Sequence, residues 1–499
     1  MELFKNELIK SILAKYRDVW AIDYALSLLE WDLETYMPKD GSTYRGLARA
    51  QLETVKQRFM LEIAPLVDKV NEADLNEYER GVVRVLKREL KYYTKIPPEL
   101  LQEFNKATVE ATMAWREAKA KADFSIFKPH LDKVVELLRQ IAYRLGFENH
   151  PYNALLDLYE EGLTINDLDP LFNSLIPGLK SILEKVRSGG YFPEKHPLED
   201  VKYNVEDMKA INEEVAFNIL KMPRERFRID VSPHPFTIGI SRGDVRITTR
   251  YEGVDFRSTL FSTIHESGHA LYELQIDEAF ESTPLARGAS MGFHESQSRF
   301  WENIIGRSRP FVKLIYPVLK ARLSFLTGYG EEDLYKYFNV VRPSLIRVDA
   351  DEVTYNLHIA VRYDLEKRLI EGSMNTSDLP EAWNTLMDKY LGIRPRNDAE
   401  GVLQDIHWSG GSIGYFPTYT LGNVIAASVL DSMMRDIPVY DDVAKGDFAK
   451  IKAWLRDRIH RWGALYSPRE LLRRSLGDDH YDPSHLLNYL RAKFIDLKY

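Results

Sequence analysis

The chain contains no cysteine in 499 residues. That absence removes disulfides, thiolate ligands and thiol nucleophiles together, so any metal must be held by histidine and carboxylate. It fits an intracellular protein, and a cytoplasmic location is expected. Histidine is scarce, at twelve residues. Cationic excess is missing: the formal charge is -8, and the densest basic run, KRELKYYTK, is interleaved with acid and tyrosine. Nothing would gather nucleic acid, which is not expected as a partner. A long apolar run is missing too. The opening MELFKNELIKSILAKYRDVW spreads charges through its apolar positions and reads as an amphipathic helix, not a signal peptide. The longest uncharged stretch, Ser409 to Leu430, is interrupted by Gly410, Gly411, Gly414, Pro417, Gly422 and Asn423, which argues against a membrane span. Internal repeats and low-complexity segments are absent.

What is there is helical periodicity. Leu131, Val134, Leu138 and Ile141 recur at helical spacing, and Pro97 and Pro98 mark a helix start. The cluster from Gly189 to Pro197 reads as a loop. Pro233 to Tyr251 departs from the pattern: Phe236, Ile238 and Ile240 alternate, SRGD turns, and Val245, Ile247 and Thr249 alternate again, which predicts a hairpin. Helices are expected at about 257–275, 292–305 and 351–371. The fold class is mainly α with one small sheet. Length alone suggests about three domains, but long helical enzymes can be one intertwined body. The expectation is a single catalytic unit over 1–499, with a helical part at 1–190, a core carrying the active-site motifs at 191–430 and C-terminal helices at 431–499. The charged content without cysteine also suits a thermophile.

The hairpin runs straight into HESGHALYE. His265 and His269, four apart on a helix, project from one face and can close on a single ion. Glu266, between them, can take a proton from an attacking water without binding the ion, the division of labour that metal-assisted peptide hydrolysis needs. Two incidental histidines on a solvated helix face are the bland alternative, and the spacing alone does not exclude it. A catalytic site needs a third ligand and an open position. Gln275 stands where a metzincin would place its third histidine, which excludes that class. Glu273 lies eight residues from His265, about 12 Å along the axis, too far to join the same ion. The third ligand must come from another helix, and GFHESQSRFWENII offers His294, Glu295 and Glu302. Glu295 is preferred for its place near the start of that helix, whereas Glu302 follows bulky Phe300 and Trp301 and reads as surface.

Six ordered signatures then make the chain resemble the carboxypeptidase Taq family of HExxH metallocarboxypeptidases: HPF at His234, DxRxT at Asp244, HExxH at His265, HESQ at His294, IRxxAD at Ile346 and GxxQDxHW at Gly401. The resemblance implies a saddle-like helical body with a deep central groove, similar to neurolysin and angiotensin-converting enzyme, usually as a homodimer. It also implies Glu295 as third ligand, zinc as the native ion and cobalt as an activating substitute.

A carboxypeptidase must hold the C-terminal carboxylate of its peptide, and an arginine fork suits this. Arg347 is the candidate; the alternative is an ion pair with Asp349 or Asp351. Asp244, Arg246 and Thr248 share one strand face, where Arg246 either contacts substrate or pairs across the sheet. His234, between prolines, is a positioned substrate contact or a turn residue. His407, Tyr415 and Tyr419 are candidates to stabilise the oxyanion, His407 leading because it belongs to a signature. His358 reads as a packed structural histidine. The rival functions are an oligopeptidase cutting internal bonds and a peptide-binding protein with a structural metal.

Overall fold

The computed structural model describes residues 3–499 and is mainly helical, with one three-stranded sheet. The chain partitions into two compact units, each built from three separated segments. One comprises the segment up to Thr94, Pro197–Phe338 and Val429–Asp479; the other comprises Lys95–His196, Asn339–Ser428 and His480–Tyr499.

In the first unit a long helix, Glu7–Thr35, starts where the Asn6 side chain accepts from the backbone N–H groups of Leu8 and Ile9, which satisfies donors that the first turn leaves open. It packs on Ser42–Val67. The sheet comprises β1 (Phe227–Val231), β2 (Thr237–Ser241) and β3 (Asp244–Thr249), in the order β1-β3-β2. The hairpin expected from alternation is β2 and β3, which pair antiparallel around Arg242 and Gly243. β1, which alternation did not reveal, pairs parallel with β3, Ile229 opposite Ile247. β2 is therefore an edge strand. Val245 and Ile247 are fully buried, and β2 and β3 pack on the helix Phe256–Gln275 that carries HESGH. That helix is anchored by Phe256, Leu260, Phe261 and Ile264, all buried.

The second unit pairs Pro98–Lys121 with Phe124–Leu145. The first begins at the predicted proline, and the second buries Leu131, Val134, Leu138 and Ile141 as their spacing requires. The helix Ile165–Gly189 ends at Gly190, whose φ of 65° is left-handed, and so opens the loop read from the glycines. Tyr355–Glu371 and Pro417–Asp436 belong to this unit through Ser428. Gly422 and Asn423 sit inside the latter helix, so they do not break the uncharged stretch as expected. Among the described residues, nonetheless, no helix is long and apolar enough to cross a membrane.

Candidate metal centre

On the HExxH helix the two histidines present their Nε2 atoms to one carboxylate. Glu295 Oε2 lies 3.6 Å from His265 Nε2 and 3.4 Å from His269 Nε2. Nitrogen and oxygen ligands bound to one tetrahedral zinc-sized ion sit about 3.4 Å from each other. The donors already stand at that separation, so the residues fit a divalent ion. Glu295 comes from the helix Met291–Arg299, which starts where Ser290 accepts from the N–H of Phe293. The two helices approach closely because residue 268, inside HESGH, is glycine: a Cβ there would stand 2.6 Å from the Gln297 carbonyl oxygen. Gly268 thus brings Glu295 to the histidines, a role invisible in the motif itself.

Each histidine is supported from behind. His265 Nδ1 is 2.8 Å from Glu302 Oε2. His269 Nδ1 is 2.7 Å from His294 Nδ1, and His294 Nε2 is 2.6 Å from Glu273 Oε1. Such partners fix ring orientation and raise ligand basicity. Of the three candidates on the HESQ segment, Glu295 joins the histidines while His294 and Glu302 stand behind them. Glu302 is not a surface residue, as its neighbours suggested. It is buried and also accepts from Arg299 and Arg307. The helix widens into a π segment over Phe300–Gly306, which the bulky residues did not announce.

Burial opposes ionisation of Glu295, but Arg299, which donates to Oε1 at 2.6 Å, and the two histidines hold its carboxyl well below the usual range. Burial also opposes the charge on Glu302, and Arg299, His265 and Arg307 overcome it. His269 is pushed down to about 3, chiefly by burial, whereas at His265 burial is outweighed by the carboxylates of Glu295 and Glu302, which raise the imidazole. Glu266 projects beside the donors with its carboxyl raised by burial. Thr237 of β2 lies 2.6 Å from its Oε2 and 3.0 Å from its carbonyl oxygen. Gln275, the residue that excluded a metzincin, binds the ring of His460.

The remaining candidates occupy other surroundings. Arg246 is paired with Asp244 through two hydrogen bonds of 2.6 and 2.7 Å on its own strand, over the Trp31 ring. His234 is exposed, with its carbonyl held by Ser232. In the second unit, Arg347 is buried and pairs with Asp405 at 2.8 and 3.0 Å, not with Asp349 or Asp351, and donates to the Tyr355 hydroxyl. Asp351 instead accepts from Thr354 and Val353 ahead of the helix Tyr355–Glu371. Asp405 also binds Arg362. His407, Tyr415 and Tyr419 do cluster: His407 stacks on Tyr415 at 5.7 Å and lies 3.3 Å from the Tyr419 hydroxyl. Burial lowers His407 to about 4. His358 is fully buried.

A helical fold with an HExxH helix, a carboxylate from a second helix and an edge strand alongside defines a metallopeptidase of the HExxH class. Comparison with known proteins places it further. Residues 11–494 match the family of carboxypeptidase Taq (M32) metallopeptidases, and the chain belongs to that family. It is 51% identical to thermostable carboxypeptidase 1 of Pyrococcus furiosus, over 99% of this chain and 100% of that protein. It is 38% identical to carboxypeptidase 1 of Bacillus subtilis, over 95% of each. Among solved structures, Pyrococcus furiosus carboxypeptidase superposes with a TM-score of 0.97 at 51% identity, over 99% of this chain and 100% of that one. The M32 carboxypeptidase of Deinococcus radiodurans gives 0.94 at 32% identity, over 99% of each. The family resemblance, the mainly helical fold and the assignment as a metallocarboxypeptidase, a hydrolase using a divalent ion, are thereby borne out.

Proposed function

We propose that the protein removes single C-terminal residues from peptides of varied sequence, with His265, His269 and Glu295 as ligands and Glu266 as general base. The observation that carries this reading is the spacing of the three donors, with Glu266 adjacent and touched by Thr237. A divalent ion held there supplies Lewis acidity toward water and the scissile carbonyl. Two histidines and a carboxylate accept zinc or cobalt; zinc is proposed as native. Glu266 takes the proton of the attacking water and delivers it to the leaving amine. The edge of β2 offers unpaired backbone groups for an extended peptide, and His234, just ahead of it, is proposed as a substrate contact.

Arg347 is proposed to hold the substrate's terminal carboxylate. Its bonds to Asp405 and Tyr355 use three of the five guanidinium N–H groups, leaving two for a ligand. Arg347 and Arg362 share one carboxylate, so this buried cluster has an uncompensated positive charge. His407, neutral at physiological pH, and the tyrosines 415 and 419 are proposed to donate to the developing oxyanion. Arg246, held by Asp244, is proposed to shape the strand beside the substrate. The protein is further proposed to act as one catalytic unit, in the cytoplasm, as a homodimer and without a nucleic-acid partner.

The test is a defined peptide, free or amidated at its C-terminus, incubated with metal-stripped and zinc- or cobalt-reloaded protein and followed by mass spectrometry. A metal-dependent ladder from the free acid only is expected. Internal fragments from both peptides would make it an oligopeptidase, and binding without turnover would make the metal structural.

A further inference from the structure

β2 continues beyond the metal centre into a cavity that the reaction itself does not use. Thr237, at the start of the strand, touches Glu266. Gly239 shares its face, a register shift follows between Gly239 and Ser241, and this end of the strand lines a cavity of about 170 Å³ within the first unit, closed by Tyr16, Trp20 and Tyr24 of the N-terminal helix and by Glu273 and Glu281. Gly239 lies close against Glu273: a Cβ there would stand 3.0 Å from its carboxylate.

The walls are aromatic and acidic. Trp20 and Tyr24 lie 5.8 Å apart, tilted. Asp23, Glu273 and Glu281 are each engaged through one oxygen, by Lys56, His294 and the backbone N–H of Arg242 respectively. The two arginines of the lining are committed elsewhere, Arg287 to Glu89 and Arg242 to Glu278 and the carbonyl of Ile276. With Lys56, Arg461, Glu89 and Glu278 included as ion-pair partners of the lining, carboxylates outnumber cations by six to four. A cation among aromatic faces and spare carboxylate oxygens is the ligand this chemistry favours.

Position decides which part of a substrate arrives there. Strand residues rise about 3.3 Å each, so Gly239 lies about 7 Å beyond Thr237 and Ser241, past the register shift, at most about 13 Å beyond it, a span of two to four residues of a peptide paired on the edge. A carboxypeptidase has a single residue on the far side of the bond it cuts, so a pocket at that distance serves residues on the amino-terminal side. We infer that this cavity is a specificity subsite for a basic side chain, lysine or arginine, two to four residues before the one that carries the scissile carbonyl. The inference rests on the carboxypeptidase reading above.

The test uses the zinc-loaded full chain and N-acetylated alanine-based octapeptides with identical last two residues, carrying lysine, norleucine or glutamate at each of the three upstream positions. Lysine should raise kcat/KM at least about fivefold over norleucine at one of them, through KM, and glutamate should lower it. The double variant Asp23→Asn, Glu281→Gln should bring the lysine-to-norleucine ratio close to one. Equal rates for all three residues at every position would overturn the subsite, as would a lysine preference that persists in the variant. A gain produced only by removing the acetyl group would assign the cavity to a peptide amino terminus and overturn the side-chain reading. Failure of the norleucine peptide to lose its last residue at all would instead overturn the carboxypeptidase reading.

Discussion

Glu302 gives the sharpest test of how this site is held. Its Oε2 lies 2.8 Å from His265 Nδ1, and Arg299 and Arg307 donate to the same carboxylate. In Glu302→Gln the amide oxygen can still accept from His265, while the amide nitrogen faces Arg307. The bond changes from charged to neutral, a loss of about 1 kcal/mol, or about fivefold in metal affinity. In Glu302→Ala the imidazole loses its orienting partner, and removal of such a partner weakens affinity about 10- to 100-fold. Arg299 keeps Glu295 and Arg307 keeps the Phe338 carbonyl, so the fold should survive, less stable by a few kcal/mol. Zinc affinity is measured by competition with a chromophoric chelator, with apo-protein unfolding followed in parallel to separate binding from folding. The expected order is wild type, then Gln, then Ala. Zinc affinities within twofold of each other in all three proteins would refute the orienting role.

Glu266→Gln should retain zinc in the same competition assay and lose at least about a hundredfold in kcat, the scale of general-base contributions; a variant of near wild-type activity would remove Glu266 from the mechanism. Arg347→Ala should lose about 30- to 100-fold in kcat/KM on free-acid peptides, the scale of a charged hydrogen-bonded pair, and equal loss on amidated peptides would leave the arginine only structural. Glu366, fully buried, accepts from Tyr152, Trp408 and the N–H of Gly414, yet burial outweighs these bonds and raises its carboxyl to about 7. A folded pKa above the unfolded value of 4.5 means that the folded state binds the proton more tightly. Its contribution is therefore present below about pH 4.5 and lost as pH rises through 7, about 3 kcal/mol in all. Denaturant unfolding at pH 5 and pH 8 should show this fall in wild type and not in Glu366→Gln, and an equal fall in both would reject the assignment.

That His265 and His269 share a helix face was legible because a four-residue spacing on a helix is local geometry, and the hairpin because strand alternation is. What sequence missed was tertiary. Nothing local predicts that β1 joins β3 in parallel, or that Gly268 must lack a Cβ to admit the Gln297 carbonyl. Arg347 was compared with acids two and four residues away, while its partner Asp405 lies 58 residues on. The only signal was that Asp405 belongs to another of the six signatures. Glu302 reads as surface in the sequence because it follows bulky Phe300 and Trp301, whereas the π segment buries all three.

Glu295 and Glu302, seven residues apart, serve one imidazole. Two helical turns separate them by about 10 Å along the axis, and His265 fits between, Nε2 toward Glu295 and Nδ1 toward Glu302. The charges of this cluster constrain what it can hold. Four carboxyl groups, those of Glu266, Glu273, Glu295 and Glu302, stand around the histidines, against the two guanidinium groups of Arg299 and Arg307, so the cluster favours a cation. Buried carboxylates are costly to ionise, and a divalent ion at the donors would offset them without distinguishing zinc from cobalt. This also gives Glu302→Gln a second route to weaker binding, since one of the carboxylates that would offset the ion is lost. Glu302→Asp separates the routes: it keeps the charge and withdraws the carboxylate by one methylene. Zinc affinity nearer to wild type in Asp than in Gln would assign the larger part to charge, and the reverse order to orientation of the ring.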